Sequence, residues 1–165
     1  GVVSDNDVIA NADQTWFINR SRWSLFALGT YQWDEFQTWE HRVSSYGGLG
    51  YALVKKEDLD LTLRLGAGGT WEYANRDLLP QFLFEVKTNW QINSLQSFEG
   101  SVRFAPKMDN CLDYLLTLSM NYKLKLGVDS PFSLNLSILD IYDSKPTGGG
   151  TNNDLKLVLS LGYDF

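Results

Sequence analysis

The residue types most able to do chemistry lie together at Glu40, His41, Ser44 and Ser45. Serine, histidine and a carboxylate are the set that many hydrolases use as nucleophile, base and orienting group. In an extended strand, His41 and Ser45 would share a face but lie about 13 Å apart, at about 3.3 Å per residue. Ser44 would point to the other face, although a serine from another strand could still approach His41. We therefore interpret His41 as a lumen or interface residue, and we predict that the protein is not an enzyme.

No other residues suggest a metal or cofactor. The acidic pairs Asp34-Glu35 and Asp58-x-Asp60 could attract a cation such as calcium, but they lack the ligand density of a calcium loop and are interpreted as solvated turns. One cysteine, Cys111, and one histidine exclude a disulfide framework and a cysteine- or histidine-rich metal site. The formal net charge of −6 argues against nucleic-acid binding, which needs a basic patch. We predict no cofactor and no functional role for Cys111.

Apolar and polar residues alternate along most of the chain, which is the period of a β-strand. From Leu59 to Tyr73 and from Leu155 to Phe165, nearly every second residue is apolar. The pattern predicts about nine strands and no helix. The predicted strands are near Asp7–Phe17, Trp23–Trp33, Trp39–Tyr51, Leu59–Tyr73, Gln81–Asn93, Leu95–Phe104, Leu112–Lys125, Phe132–Tyr142 and Asp154–Phe165.

These strands are longer than the usual five or six residues, and short turns join them. Long alternating strands in series are typical of an antiparallel up-and-down meander, which tends to close because closure removes exposed edges. The sequence therefore predicts an all-β fold, a single β-barrel domain over residues 1–165. Short and longer turns alternate along the chain, as they do in outer-membrane barrels.

The alternation alone does not say which face is inside, since a soluble barrel buries the apolar residues and an outer-membrane barrel turns them to lipid. The tryptophans favour the membrane, because they fall near strand ends, where interfacial aromatic girdles form. We predict a girdle of Trp16, Trp23, Trp33, Trp39, Trp71 and Trp90. The polar positions also carry small residues and charges of both signs, as expected of a narrow polar lumen.

The charges at the polar positions have two interpretations. They could line a selective channel, or they could pair across the lumen and fill a closed barrel. We favour the filling network, because neither sign dominates. The predicted lumen charges are Arg42, Arg64, Glu85, Lys87, Glu99 and Arg103.

The C-terminus resembles the signature with which bacterial outer-membrane proteins close their last strand. Tyr163 and Phe165 are in phase with the preceding leucines, so we predict that they form a signal for the barrel-assembly machinery. If Phe165 is periplasmic, nine strands place the N-terminus outside, whereas single-chain bacterial barrels have even strand numbers. Either the count is wrong or, as we expect, one or more strands precede Gly1; one would give ten strands and three would give twelve.

The segment from Trp16 to Phe36, with its aromatic strands on either side of a short turn, resembles the YdiY-like family of salt-induced outer membrane proteins. The glycine-rich Arg42–Tyr51 and the segment from Leu134 to Phe165 are similar to that family as well. The family is largely a domain of unknown function, so the resemblance implies a bacterial outer-membrane location and no reaction.

Together these features predict an integral outer-membrane β-barrel, structural or a narrow passive pore, whose partners are the lipid bilayer and, during insertion, the assembly machinery. The alternative is a soluble β-barrel that binds an apolar ligand. Solvent exposure of Leu155, Leu157, Leu159 and Leu161 distinguishes the two, because the soluble barrel would bury them.

Overall fold

The computed structural model describes residues 7–19, 21–34, 41–73, 77–128, 130–146 and 152–163. They form an all-β fold of nine strands, β1 (Asp7–Phe17), β2 (Trp23–Asp34), β3 (His41–Lys55), β4 (Leu59–Glu72), β5 (Asp77–Asn93), β6 (Gln96–Pro106), β7 (Tyr114–Lys125), β8 (Phe132–Asp143) and β9 (Asn153–Tyr163). Among these residues, no helix is long and apolar enough to cross a membrane.

The nine strands form one antiparallel sheet in sequence order, β1 to β9, which curls into a half-barrel. This confirms the predicted all-β meander of nine strands. The sheet's two edges are β1 and β9. That the chain is a single domain, and that further strands precede Gly1, stay predictions.

The strands begin and end close to their predicted positions, with two informative differences. β3 continues to Lys55 because a bulge between Ala52 and Val54 absorbs an irregular stretch. β5 begins at Asp77 although Pro80 suggested a turn. Pro80 pairs with Gly69 of β4 on one side, whereas the continuous ladder to β6 begins only at Phe84. The proline therefore lies where one side of the strand needs no N–H donor, the kind of position in which a sheet tolerates it.

The register assigns each residue to one of two faces of the sheet. The concave inner face includes buried polar side chains such as Arg64, Glu85, Glu72 and Thr70, each less than 5% exposed. The convex outer face carries aliphatic side chains that remain exposed, among them Leu49, Leu65, Val86, Val102, Leu157 and Leu161. The outer face is therefore largely apolar and exposed, whereas the buried inner face holds both polar and apolar side chains.

The tightest approach between strands is at β3 and β4, where glycines take inner-face positions. Gly48 pairs with Gly66, and Tyr46 pairs with Gly68. A Cβ atom on Gly66 would lie 2.6 Å from the carbonyl oxygen of Gly47, and one on Gly48 or Gly68 would overlap the neighbouring backbone. The absence of these side chains lets the two strands bend closely around the interior.

The space above these glycines is filled by a small apolar cluster in the middle of the inner face. Phe26 and Leu83 flank the pair Gly48–Gly66 in the same row, and both are nearly inaccessible to solvent. The cluster consists of Phe26, Leu28, Tyr46, Leu83 and Ala105, with Leu115 packed against it. Polar networks lie on both sides of this cluster along the strand direction.

The two ends of the sheet differ in the connections that they carry. The short-turn end contains the connections 18–22, 56–58, 94–95 and 126–131, and the long-loop end contains the connections 35–40, 73–76, 107–113 and 144–152.

Candidate functional site

Arg64 is the centre of a charged network on the inner face. Its side chain is 4% exposed, and its Nη1 atom donates to Asp13 Oδ2 at 2.9 Å and to Glu85 Oε2 at 3.1 Å. Its Nη2 atom donates to Thr15 Oγ1 at 2.7 Å. One guanidinium thus connects β4 to its neighbour β5 and, across the interior, to β1.

Glu85 and Asp13 each serve two cations. Glu85 Oε1 accepts from Arg103 Nη2 at 2.9 Å, so this carboxylate lies between two arginines while only 2% exposed. Asp13 Oδ2 accepts from Lys87 Nζ at 2.8 Å in addition to Arg64. Three cations therefore share two carboxylates, which leaves the network with one positive charge.

A second ionic group lies toward the long-loop end. Arg42 donates to Glu72 Oε1 through Nη2 at 2.6 Å and through Nε at 3.1 Å, and both side chains are buried. Asp143 of β8 approaches the same Nη2 at 4.0 Å. In the adjoining loop, Lys107 pairs with Asp113 at 2.6 Å.

Neutral hydrogen bonds occupy the region between this group and the apolar cluster. Gln81 Oε1 accepts from Tyr46 Oη and from Thr70 Oγ1, both at 2.7 Å. Ser44 Oγ lies 2.8 Å from Thr70 Oγ1. These groups are buried and mutually bonded, so this part of the interior resembles a protein core more than an open aqueous channel.

All six predicted lumen charges occupy inner-face positions, but not all join the networks. Arg64, Glu85, Lys87 and Arg103 belong to one network and Arg42 to the other. Glu99 is exposed, with Asn89 and Asn121 opposite it on the neighbouring strands. Asp13 was not among the charges predicted from the sequence. Val8, Ile9 and Ala10 are consecutive apolar residues, so the alternation of apolar and polar residues is not visible at the start of β1.

The predicted aromatic girdle falls on the outer face in two bands. Trp16, Trp23 and Trp90 lie toward the short-turn end, whereas Trp33 and Trp71 lie toward the long-loop end. Trp23 packs against Tyr51 with ring centroids 4.9 Å apart. Tyrosines extend both bands, at Tyr31, Tyr73, Tyr114 and Tyr142 on one side and at Tyr51, Tyr122 and Tyr163 on the other. Trp39 lies outside the described residues.

His41 belongs to the long-loop band of aromatic residues. Its Nδ1 atom is 2.8 Å from Tyr31 Oη, and its ring packs edge-on against Tyr73. Ser45 shares its face and Ser44 points inward, as the strand geometry predicted. Glu40 lies outside the described residues.

The structure also locates most of the remaining residues that the sequence singled out. Tyr163 packs against Phe132 on the outer face, and Phe165 lies outside the described residues. Asp60 accepts a hydrogen bond from Thr62, and the described part of the chain contains no group of three or more histidine, cysteine or acidic residues that could hold a metal. The side chains of Asp34 and Glu35 lie outside the part of the chain that the structure describes. Cys111 is exposed in the β6–β7 connection.

One charged residue departs from the pattern. Among the strand residues whose side chains the structure describes, every charged one except Asp140 takes an inner-face position. Asp140 lies on the outer face between Leu118 and Leu155. Its Oδ1 atom is buried and has no hydrogen-bond partner among the described residues.

A curled antiparallel meander with ion pairs on its concave face and aliphatic side chains on its convex face defines the class of barrel-like β-sheet proteins. Within that class, the chain belongs to the family described as protein of unknown function, DUF481, whose model matches residues 1–165. Searches of the curated proteins and of the solved structures found no match.

Proposed function

We propose that this protein is an integral β-barrel protein of the bacterial outer membrane, with a structural role or a narrow passive pore. The observation that carries the proposal is the division of the sheet into an aliphatic outer face and an ionic inner face. Outer-membrane barrels have this division because lipid surrounds them and their interior is polar.

The exposure of the outer face supports a lipid environment. Leu155, Leu157, Leu159 and Leu161 are 63–66% exposed along β9. Burying one such side chain stabilises a protein by about 1.5–3 kcal/mol, so leaving the whole face in water would be costly. A soluble barrel with an apolar ligand would turn these leucines inward, and their position argues against that alternative.

Strand length and aromatic placement support the same location. The shortest strands have 11 residues and the longest has 17. A strand of about 9–11 residues, tilted by about 45°, crosses the hydrocarbon core of a bilayer. The two bands of tryptophan and tyrosine then fall where the headgroups lie, which suits a ring with one polar edge.

The filled interior favours a structural role over a wide channel. The apolar cluster around Phe26 and Leu83 occupies the middle of the inner face, and hydrogen-bonded ion pairs occupy the space on either side. The finer proposals are that the protein is a salt-induced outer-membrane protein of the YdiY-like kind and that the assembly machinery recognises the C-terminal Tyr163–Phe165.

The experiment compares two neighbouring positions of β6 that face opposite ways. In a Cys111→Ser background, single cysteines replace Val102, which is 45% exposed on the outer face, or Ser101, which faces the interior. Each is labelled with a small environment-sensitive fluorophore, and the protein is reconstituted into vesicles that contain nitroxide-labelled lipid.

We expect strong quenching by the lipid nitroxide at position 102 and weak quenching at position 101. Equal quenching at both sites would contradict a lipid-facing outer surface. A protein that remains a monodisperse monomer without detergent would contradict the membrane location itself.

A further inference from the structure

A cavity of about 200 Å³ opens on the inner face toward the short-turn end, between β1 and β5. Four cationic side chains line it, those of Arg22, Lys55, Arg64 and Lys87. Among the described residues, Asp60 is the only carboxylate in its lining. In the part of the chain that the structure describes, this is one of two inner-face cavities of about 200 Å³ that the ion pairs do not fill, the other lying nearer β7.

The cavity keeps a surplus of positive charge after its ion pairs are counted. Asp13 and Glu85 lie next to it and serve Arg64, Lys87 and Arg103. With Asp60, three carboxylates face five cations, and the surplus is two positive charges. Within the described part of the chain, neither Arg22 nor Lys55 forms an ion pair, and Lys55 Nζ lies 4.9 Å from the ring centroid of Phe17.

The donors of Arg64 are already engaged or out of reach of the cavity. Both terminal nitrogens of this guanidinium are bonded, and its Nε atom is buried without a hydrogen-bond partner among the described residues. The other three cations of the lining, Arg22, Lys55 and Lys87, are at least partly exposed. A negatively charged group in the cavity would offset the surplus positive charge and accept from these side chains.

We propose that this cavity binds a small oxyanion, a phosphate or a carboxylate. Its oxygens would accept from Lys87 Nζ and from the other accessible cations of the lining, because bonds between ionised groups are the strongest that such side chains make. Lys55 and Arg22, at the entrance, would attract the anion from the short-turn side. The proposal goes beyond the membrane location and does not depend on it, since all of these groups lie on the inner face or its rim.

The test measures the binding of inorganic phosphate and of acetate to the purified full chain by calorimetry. Lys55→Gln removes a cation from the lining, and Lys56→Gln removes the adjacent, exposed lysine that does not line the cavity, so the pair is matched in charge. Circular dichroism verifies that each variant is folded.

We expect saturable binding of phosphate or acetate that weakens by about tenfold in Lys55→Gln, the loss of one charge-assisted contact, and by less than about twofold in Lys56→Gln. No saturable binding, or equal losses in Lys55→Gln and Lys56→Gln, would overturn the proposal. Tighter binding of a short-chain phosphatidylglycerol than of phosphate would also overturn it, by indicating a lipid-headgroup site.

Discussion

Asp13 and Lys87 are 74 residues apart in the chain, yet Asp13 Oδ2 and Lys87 Nζ are 2.8 Å apart. They lie on β1 and β5, which are not neighbours in the sheet, so the contact crosses the interior. The same Asp13 oxygen also accepts from Arg64. The curl of the sheet and the pairing of its charges are therefore one feature, and changing either should disturb the other.

Glu85→Gln should strongly destabilise the protein, because it leaves the buried Arg64 and the nearby Arg103 without their shared carboxylate. Breaking a buried ion pair by removing one partner costs about 3–5 kcal/mol. The measurement is urea unfolding in detergent or lipid, followed by tryptophan fluorescence. Glu99→Gln is the control, since Glu99 is exposed on the same face, and it should change the free energy of unfolding by less than about 0.5 kcal/mol. Similar losses in both variants would show that the network adds nothing specific.

Gly68→Ala should prevent correct assembly of the sheet, whereas Gly29→Ala should be tolerated. A methyl group on Gly68 would overlap the backbone at Ser45, but around Gly29 there is nothing within 4 Å. Strand content from far-UV circular dichroism and the altered gel mobility of a folded barrel measure the outcome. Normal folding of Gly68→Ala would show that β3 and β4 do not need this close approach.

Phe26→Ala combined with Leu83→Ala should raise ion conductance in planar bilayers above that of the unchanged protein. Both side chains fill the middle of the interior, and removing them creates a void between the two polar networks. Each truncation should also cost about 2–5 kcal/mol of stability. Leu159→Ala, on the outer face, is the control and should not change conductance. A large conductance in the unchanged protein would contradict the filled interior.

Asp140→Leu should stabilise the protein in a bilayer and not in water. Asp140 lies among leucines on the outer face, and a charge on the lipid face of a barrel is unfavourable by up to about 2–4 kcal/mol, less for acidic residues and near the interface. We expect a gain of about 1 kcal/mol in lipid vesicles from denaturant unfolding. Asp143→Leu, at an inner-face position three residues further along β8, should destabilise instead, because Asp143 faces Arg42. A loss of stability in Asp140→Leu would indicate that this carboxylate has a partner on the outer face.

The strands were predictable because most of them have one largely apolar face, and the period of two survives in β4, β7 and β9 even where turns are irregular. The start of β5 was not predictable, because proline is a turn signal in a sequence. Pro80 fits within the strand only because the β6 ladder does not extend to its position. The faces of the candidate charges followed from the same period. The partners of these charges could not be predicted, because the curvature of the sheet brings Asp13 to Arg64 and Lys87, and no local sequence pattern encodes that curvature. The cavity near Lys55 could not be predicted either, because residues of five strands form its lining.

The order of the strands in the sheet has a kinetic consequence. Each strand pairs with its neighbour in sequence, so hairpins can form one after another with short loops to close. Asp13 contacts Arg64 and Lys87 only when the sheet has curled enough to bring β1 opposite β4 and β5. We expect these bonds to form last and to stabilise the curl of the sheet after the hairpins have formed.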